Sequence, residues 1–196
     1  MKKIALALAL ALSPALSHAA VTIFSDNFDT DALALNQTTF NGGWTVSGGT
    51  VDLIGNPGFF DFLPGNGRYV DLDGSTNQAG EFHKNLTLTA GVQYTLSFDL
   101  AGSQRGSNEN VNINFGSSIG NLTVNSSDPF AAHTLLFTPG ATGSYSVIFQ
   151  NSGGDNVGAL LDNVSVTAVP EPETYAMLLT GLGLLGFAAR RRKYSF

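Results

Sequence analysis

Residues 93–101 set the pattern for most of the chain. Tyr94, Leu96, Phe98 and Leu100 alternate with Gln93, Thr95, Ser97 and Asp99. The stretch 110–115 repeats it, Val111, Ile113 and Phe115 against Asn110, Asn112 and Asn114, and 144–150 follows with one slip. Period-two runs of β-branched and aromatic residues predict half-buried strands. The same reading predicts strands at 21–24, 50–54, 68–72, 81–88, 133–138 and 158–167. Turn clusters such as Asn41-Gly42-Gly43 and Ser152-Gly153-Gly154-Asp155 separate them, and no helical periodicity interrupts them. Many short strands at this spacing predict an all-β, two-sheet antiparallel sandwich or jelly roll.

Two apolar runs stand outside this pattern. Met1-Lys2-Lys3 followed by Ile4 to Leu12 is a charged and then an apolar stretch, and Ser17-His18-Ala19 supplies small residues for a cut after Ala19. This predicts an N-terminal signal helix and export. The second run, Tyr175 to Ala189, lies between Val169-Pro170-Glu171-Pro172 and the cations Arg190, Arg191, Arg192 and Lys193. The prolines stop a strand ladder. The uncharged run is a little short of the ~20 residues that cross a bilayer, and snorkelling arginines cover the deficit. The cation block acts as stop-transfer and keeps the end cytoplasmic. A C-terminal transmembrane helix is expected; a buried glycine-rich helix and a permanent anchor are the alternatives. The predicted segments are a signal peptide over 1–19, the sandwich over 20–168 and a sorting segment over 169–196.

That final constellation resembles the PEP-CTERM sorting signal of bacterial exported proteins. The resemblance implies an exosortase-type membrane protease as partner, cutting near Pro170-Glu171-Pro172. The protein is then held in the membrane transiently by its C-terminal helix, and afterwards stands at the cell surface or outside the cell. It also implies a host that makes exopolysaccharide.

The charge changes meaning once these ends are set apart. The whole chain carries −6, but its domain keeps only Arg68, Lys84 and Arg105 as cations, while all acidic residues except Glu171 and Glu173 lie between Asp26 and Asp162. Such a surface repels phosphate backbones, so nucleic acid is excluded as a partner, and divalent cations and neutral ligands suit it. The absence of cysteine removes disulfides, thiolate zinc sites and thiol catalysis.

Asp26-Asn27-Phe28-Asp29, Gly43-Trp44-Thr45-Val46, Arg68-Tyr69-Val70-Asp71-Leu72, Gly91 to Asp99 and Leu161-Asp162-Asn163-Val164 recur in an order similar to the galactose-binding-like jelly rolls. The departure is Asp-Asn-Phe-Asp in place of Asn-Gly-x-Phe-Glu. The resemblance implies a structural Ca²⁺ between first-strand and last-strand carboxylates, here Asp29 and Asp162; the alternative is that both satisfy turn amides. Taken together, the chain reads as a non-catalytic structural or adhesive component of an exopolysaccharide matrix; the alternative is a carbohydrate-binding module that recognises extracellular polysaccharide.

Other chemistry is thin. Gly116-Ser117-Ser118-Ile119-Gly120 has the spacing of a nucleophile elbow, followed by Asp128 and His133, but it joins two predicted strands where an elbow needs a strand entering a helix. Asp71-Leu72-Asp73-Gly74 begins like a calcium loop, yet Phe82 stands where the bidentate acid belongs. The loop 55–67 is the candidate ligand site: Phe59, Phe60 and Phe62 supply rings, and Asn56, Asp61 and Asn66 polar edges. The same rings serve equally as a plug for one end of the sandwich. The amides of Asn110, Asn112 and Asn114 share one face and suit sugar hydroxyls or plain solvent.

Overall fold

A computed structural model of the chain describes residues 20–58, 60–169 and 179–185. Residues 20–170 form one compact unit. It contains twelve strands: β1 (Val21–Asp26), β2 (Ala34–Gln37), β3 (Thr45–Ser47), β4 (Val51–Gly55), β5 (Arg68–Asp71), β6 (Glu81–Leu88), β7 (Gln93–Ala101), β8 (Glu109–Phe115), β9 (Ser118–Val124), β10 (Ala131–Phe137), β11 (Gly143–Asn151) and β12 (Leu160–Val169). A seven-stranded sheet runs β10-β7-β12-β5-β4-β2 with β1 also on β12, and a five-stranded sheet runs β3-β6-β11-β8-β9. Every pairing of these strands is antiparallel. The fold is the all-β jelly-roll sandwich expected from the alternation.

Alternation decides which side chains enter the core. In β7, Tyr94, Leu96, Phe98 and Leu100 point inward; in β8, Val111, Ile113 and Phe115 do. Trp44 is buried and stacks on Phe82 with centroids 4.4 Å apart and planes 13° apart. Its Nε1 donates to Asp26 Oδ2 at 3.1 Å, so the indole carries its polar edge to a partner, as a buried tryptophan requires. Phe28, Phe40 and Phe149 pack around this pair. Trp44 is a core residue.

The stretch Gly116-Ser117 is the two-residue turn of the β8–β9 hairpin, pairing Phe115 with Ser118. Gly116 has φ +59, and a Cβ there would enter the Phe137 ring. Ser118 Oγ donates to the Leu136 carbonyl at 2.6 Å. The nucleophile-elbow spacing therefore belongs to a hairpin, without the strained strand-to-helix turn an elbow needs.

Residues 179–185 are helical and lie inside the expected transmembrane run. Among the described residues no helix is long and apolar enough to cross a membrane. The signal segment 1–19, the motif residues Pro170, Glu171 and Pro172, and Arg190, Arg191, Arg192 and Lys193 lie outside the described residues. Val169 is the last residue of β12.

Candidate functional site

The two sheets turn different outer faces to solvent. On the five-stranded sheet, register places the outward residues in rows. Thr45, His83, Ile148, Asn114 and Ile119 form one row across all five strands. Gln150, Asn112 and Asn121 form the next, with Asn85 beside Ser146 and Asn110 beside Thr123. Several of these groups already hold one another: Ser146 Oγ donates to Asn85 Oδ1, and Thr123 Oγ1 to Asn110 Oδ1, each at 2.6 Å. Glu81 and His83 are the ionisable groups of this face, and they lie together with Nδ1–Oε1 at 3.6 Å. Ile119, 69% exposed, adds apolar surface to the amide field. Asn121 and Gln150 escaped sequence reasoning, because only strand pairing brings them beside the asparagine row.

The outer face of the seven-stranded sheet is partly roofed. Ile54, Tyr69, Ala101 and Leu160 form a second buried cluster there, covered by Phe62, Leu63 and Phe130. Phe130 comes from the β9–β10 connection, and Phe62 and Leu63 from the loop after β4. Asn56 N donates to the Gly67 carbonyl at 2.9 Å and closes its neck. Gly67 has φ +74, and a Cβ there would strike Asp29 Oδ1. The buried Tyr69 hydroxyl accepts from Leu63 N at 3.0 Å and donates to Asp61 Oδ1 at 3.2 Å, so Asp61 pins the loop. Burial pushes the Tyr69 pKa up to about 12.

Phe62 is half-buried on this cluster, and Phe60 is 54% exposed. Their rings stack with centroids 6.0 Å apart. Phe62 and Leu63 thus lie over the sheet's outer face, while Gly58 of the same loop abuts Leu33, which packs on the main core. Asn56 and Asn66 are exposed, Asn66 donating to the Leu63 carbonyl at 2.8 Å, and Phe59 lies outside the described residues.

A cleft of about 360 Å³ opens beside the roof, lined by Asp52, Ile54, Phe60, Phe62, Asp71, Ser75, Arg105 and Asn156. Asp71 ends β5, and its Oδ2 pairs with Arg105 Nη2. Arg105 Nη1 donates to the Asn156 carbonyl at 2.6 Å, and its guanidinium lies 5.1 Å from the Phe62 centroid. Burial pushes the Asp71 pKa up to about 8 against the pull of Arg105. Asp52 faces Asp71 across β4–β5 and accepts from Ser75 Oγ at 2.6 Å.

Asp29 and Asp162 share a third neighbourhood, the β1–β12 end. Asp29 accepts from Arg68 N at 2.9 Å and from Asn27 Nδ2 at 3.0 Å. Asp162 sits at a bulge of β12, where Asn163, φ 51, donates its backbone N to Asp162 Oδ1 at 2.7 Å and its Nδ2 to Asp99 Oδ2 at 2.9 Å. Burial pushes the Asp162 pKa up to about 7 against the Asn163 amide, and Asp29, Asp99 and Asp26 push it the same way. These hard oxygens suit Ca²⁺. Among the described residues, however, no three acidic or imidazole side chains converge as a metal site. Backbone carbonyls and amide oxygens would have to complete any cage.

The solved structures most like this fold include a CBM22-1 xylan-binding domain of Xyn10C from Paenibacillus barcinonensis. It is 15% identical with a TM-score of 0.54, over 78% of this chain and 97% of that one. The CBM22-1–CBM22-2 tandem of the same enzyme matches at 16% identity and TM-score 0.51, over 80% of this chain and 48% of that one. The CBM22-1–GH10 modules of a Clostridium thermocellum endo-1,4-β-D-xylanase, complexed with xylohexaose, match at 12% and 0.50, over 77% of this chain and 29% of that one. At these identities the likeness is one of fold. No curated protein sequence matches the chain. A PEP-CTERM protein-sorting motif matches residues 168–193. The family described as a protein of unknown function, DUF642, matches residues 24–167, nearly the whole sandwich, and the chain belongs to that family.

Proposed function

We propose that the domain is a non-catalytic carbohydrate-binding module of an exported, exosortase-sorted protein, and that it grips neutral polysaccharide on the outer face of its five-stranded sheet. The observation that carries this is the face itself, rows of amides and hydroxyls across five strands with a single ionisable pair. Adjacent strands stand about 4.8 Å apart, close to the length of one sugar ring, so a chain laid across them meets one side chain per residue. Amides serve hydroxyls as both donor and acceptor, and Ile148 and Ile119 meet the C–H faces. The likeness to a xylan-binding domain supports the same reading, as does the sorting motif, which fits work in the cell envelope and then outside the cell. A structural or adhesive part in an exopolysaccharide matrix follows from holding such chains.

Affinity electrophoresis of the full chain in gels containing xylan tests this. The native protein is retarded saturably, and Asn112→Ala with Asn121→Ala removes at least ten-fold in affinity. Unretarded native protein on xylan and on a panel of neutral glycans overturns it.

Structural Ca²⁺ held by Asp29 and Asp162 belongs to this reading as a stabiliser of the β1–β12 end. The oxygen-rich neighbourhood supports it, as does Asp31 close by, whose buried Oδ2 has no hydrogen-bond partner.

A further inference from the structure

We infer that the cleft beside Phe60 and Phe62 is a second sugar site, for the end of a neutral glycan, and that one domain thereby bridges two polysaccharide chains. The inference rests on the carbohydrate reading above and adds to it a second site, of different shape, and a cross-linking role.

The cleft differs in kind from the amide face. A flat sheet follows a long chain, whereas a cleft of about 360 Å³, floored by β4 and β5 and walled by loops, lies at the lower end of the range for small-molecule pockets and takes a terminus. Its platform is prebuilt. Phe60 is half-exposed with φ 55, a left-handed backbone that non-glycine residues adopt only when their surroundings hold them there. The closed loop neck and the Tyr69 hydroxyl do that holding. Phe62 backs the platform, itself seated on the Ile54–Tyr69–Leu160 cluster and under the Arg105 guanidinium. Exposed ring faces pack against sugar C–H groups.

Polar edges complete the cleft. The Arg105 bonds to Asp71 and the Asn156 carbonyl use two of the five guanidinium donors. Ser75 donates to Asp52 and keeps its lone pairs for a ligand hydroxyl. Asp52 and Asp71 stand beside the one arginine, which is already bonded to Asp71, so the cleft offers a uronic acid no unpaired cation.

The two sites lie on opposite outer faces with the core between them. Two sites facing apart engage two chains, and such multivalency gathers chains without any new contact.

Titration of xylohexaose into the full chain, paired with a bridging assay between two populations of xylan-coated beads, decides it. The expected result is two sugars per chain and bead bridging. Phe60→Ala removes one of the two and lowers bridging at least ten-fold, while Phe60→Trp keeps both; Asn112→Ala with Asn121→Ala removes the other. One sugar per chain, unaffected by Phe60→Ala, overturns the second site and leaves the carbohydrate reading standing. Bridging that survives Phe60→Ala in a folded variant overturns the cross-linking role. No binding by native protein to xylohexaose or to neutral glycans sinks both.

Discussion

The two outer faces of this sandwich solve opposite problems. The seven-stranded face buries Asp52, Asp71 and an apolar cluster beside a loop, and both carboxylates are held by hydrogen bonds. The five-stranded face carries amides and hydroxyls that water serves as well as any ligand. Stability is therefore concentrated on one face, and the other is free to change. A domain built this way tolerates substitution where a flat ligand lies and resists it where a loop must be held.

Removing Arg105 tests that contrast most severely. Arg105→Met leaves Asp71 buried beside Asp52 without its cation. Measured by urea melting above pH 8, where Asp71 is ionised, the loss should be about 3 kcal/mol, the low end for breaking a buried pair. At pH 5 the loss should shrink, because Asp71 is then protonated. A loss equal at both pH values contradicts the buried-charge account.

Calcium comes next in size. If Asp29 and Asp162 contribute to holding it, Ca²⁺ at 100 times its Kd should raise stability by about 2.7 kcal/mol, by mass action on the folded state. The rise should grow with pH, since the cation competes with a proton on Asp162, and Asp162→Asn should remove it. Melting that ignores both chelator and added calcium refutes the site.

Without calcium, the pH dependence has a definite sign. An unfolded Asp titrates near 3.9, whereas Asp162 and Asp71 are pushed up to about 7 and about 8 in the fold. Between those limits the folded state binds more protons than the unfolded one, so stability is highest near pH 4 and falls as pH rises to 8. Thermal melting from pH 5 to pH 8 should show the fall, and Asp162→Asn should flatten part of it. A melting temperature that climbs over this range refutes the sign.

The smallest effect is expected on the amide face. Asn112→Ala and Asn121→Ala should each change stability by less than about 0.5 kcal/mol, as exposed positions do. A larger loss in urea melts would mean that the face is structural.

The sequence displayed the strong alternators plainly, β7 most of all. It hid β9, because Ile119 points outward and Gly120 takes an inward position, so the apolar residues run out of phase with the face they serve. It hid β3 and β2 as well. One has three residues, and the other, Ala34-Leu35-Asn36-Gln37, has no β-branched side chain. Of the two faces, one row was legible in Asn110, Asn112 and Asn114; its neighbours Asn121 and Gln150 needed register. In the loop, three phenylalanines looked alike. Only the tether from Tyr69 and the cluster beneath separate a half-buried Phe62 from an exposed Phe60.

The most direct test of the sugar-binding face follows the side-chain amides themselves. In ¹⁵N-labelled protein titrated with xylohexaose, the NH₂ resonances of Asn112, Asn114, Asn121 and Gln150 should shift together and saturate. The buried Asn151 amide, held by Glu109, should stay in place. Saturable binding that leaves all four amides unmoved would contradict the account.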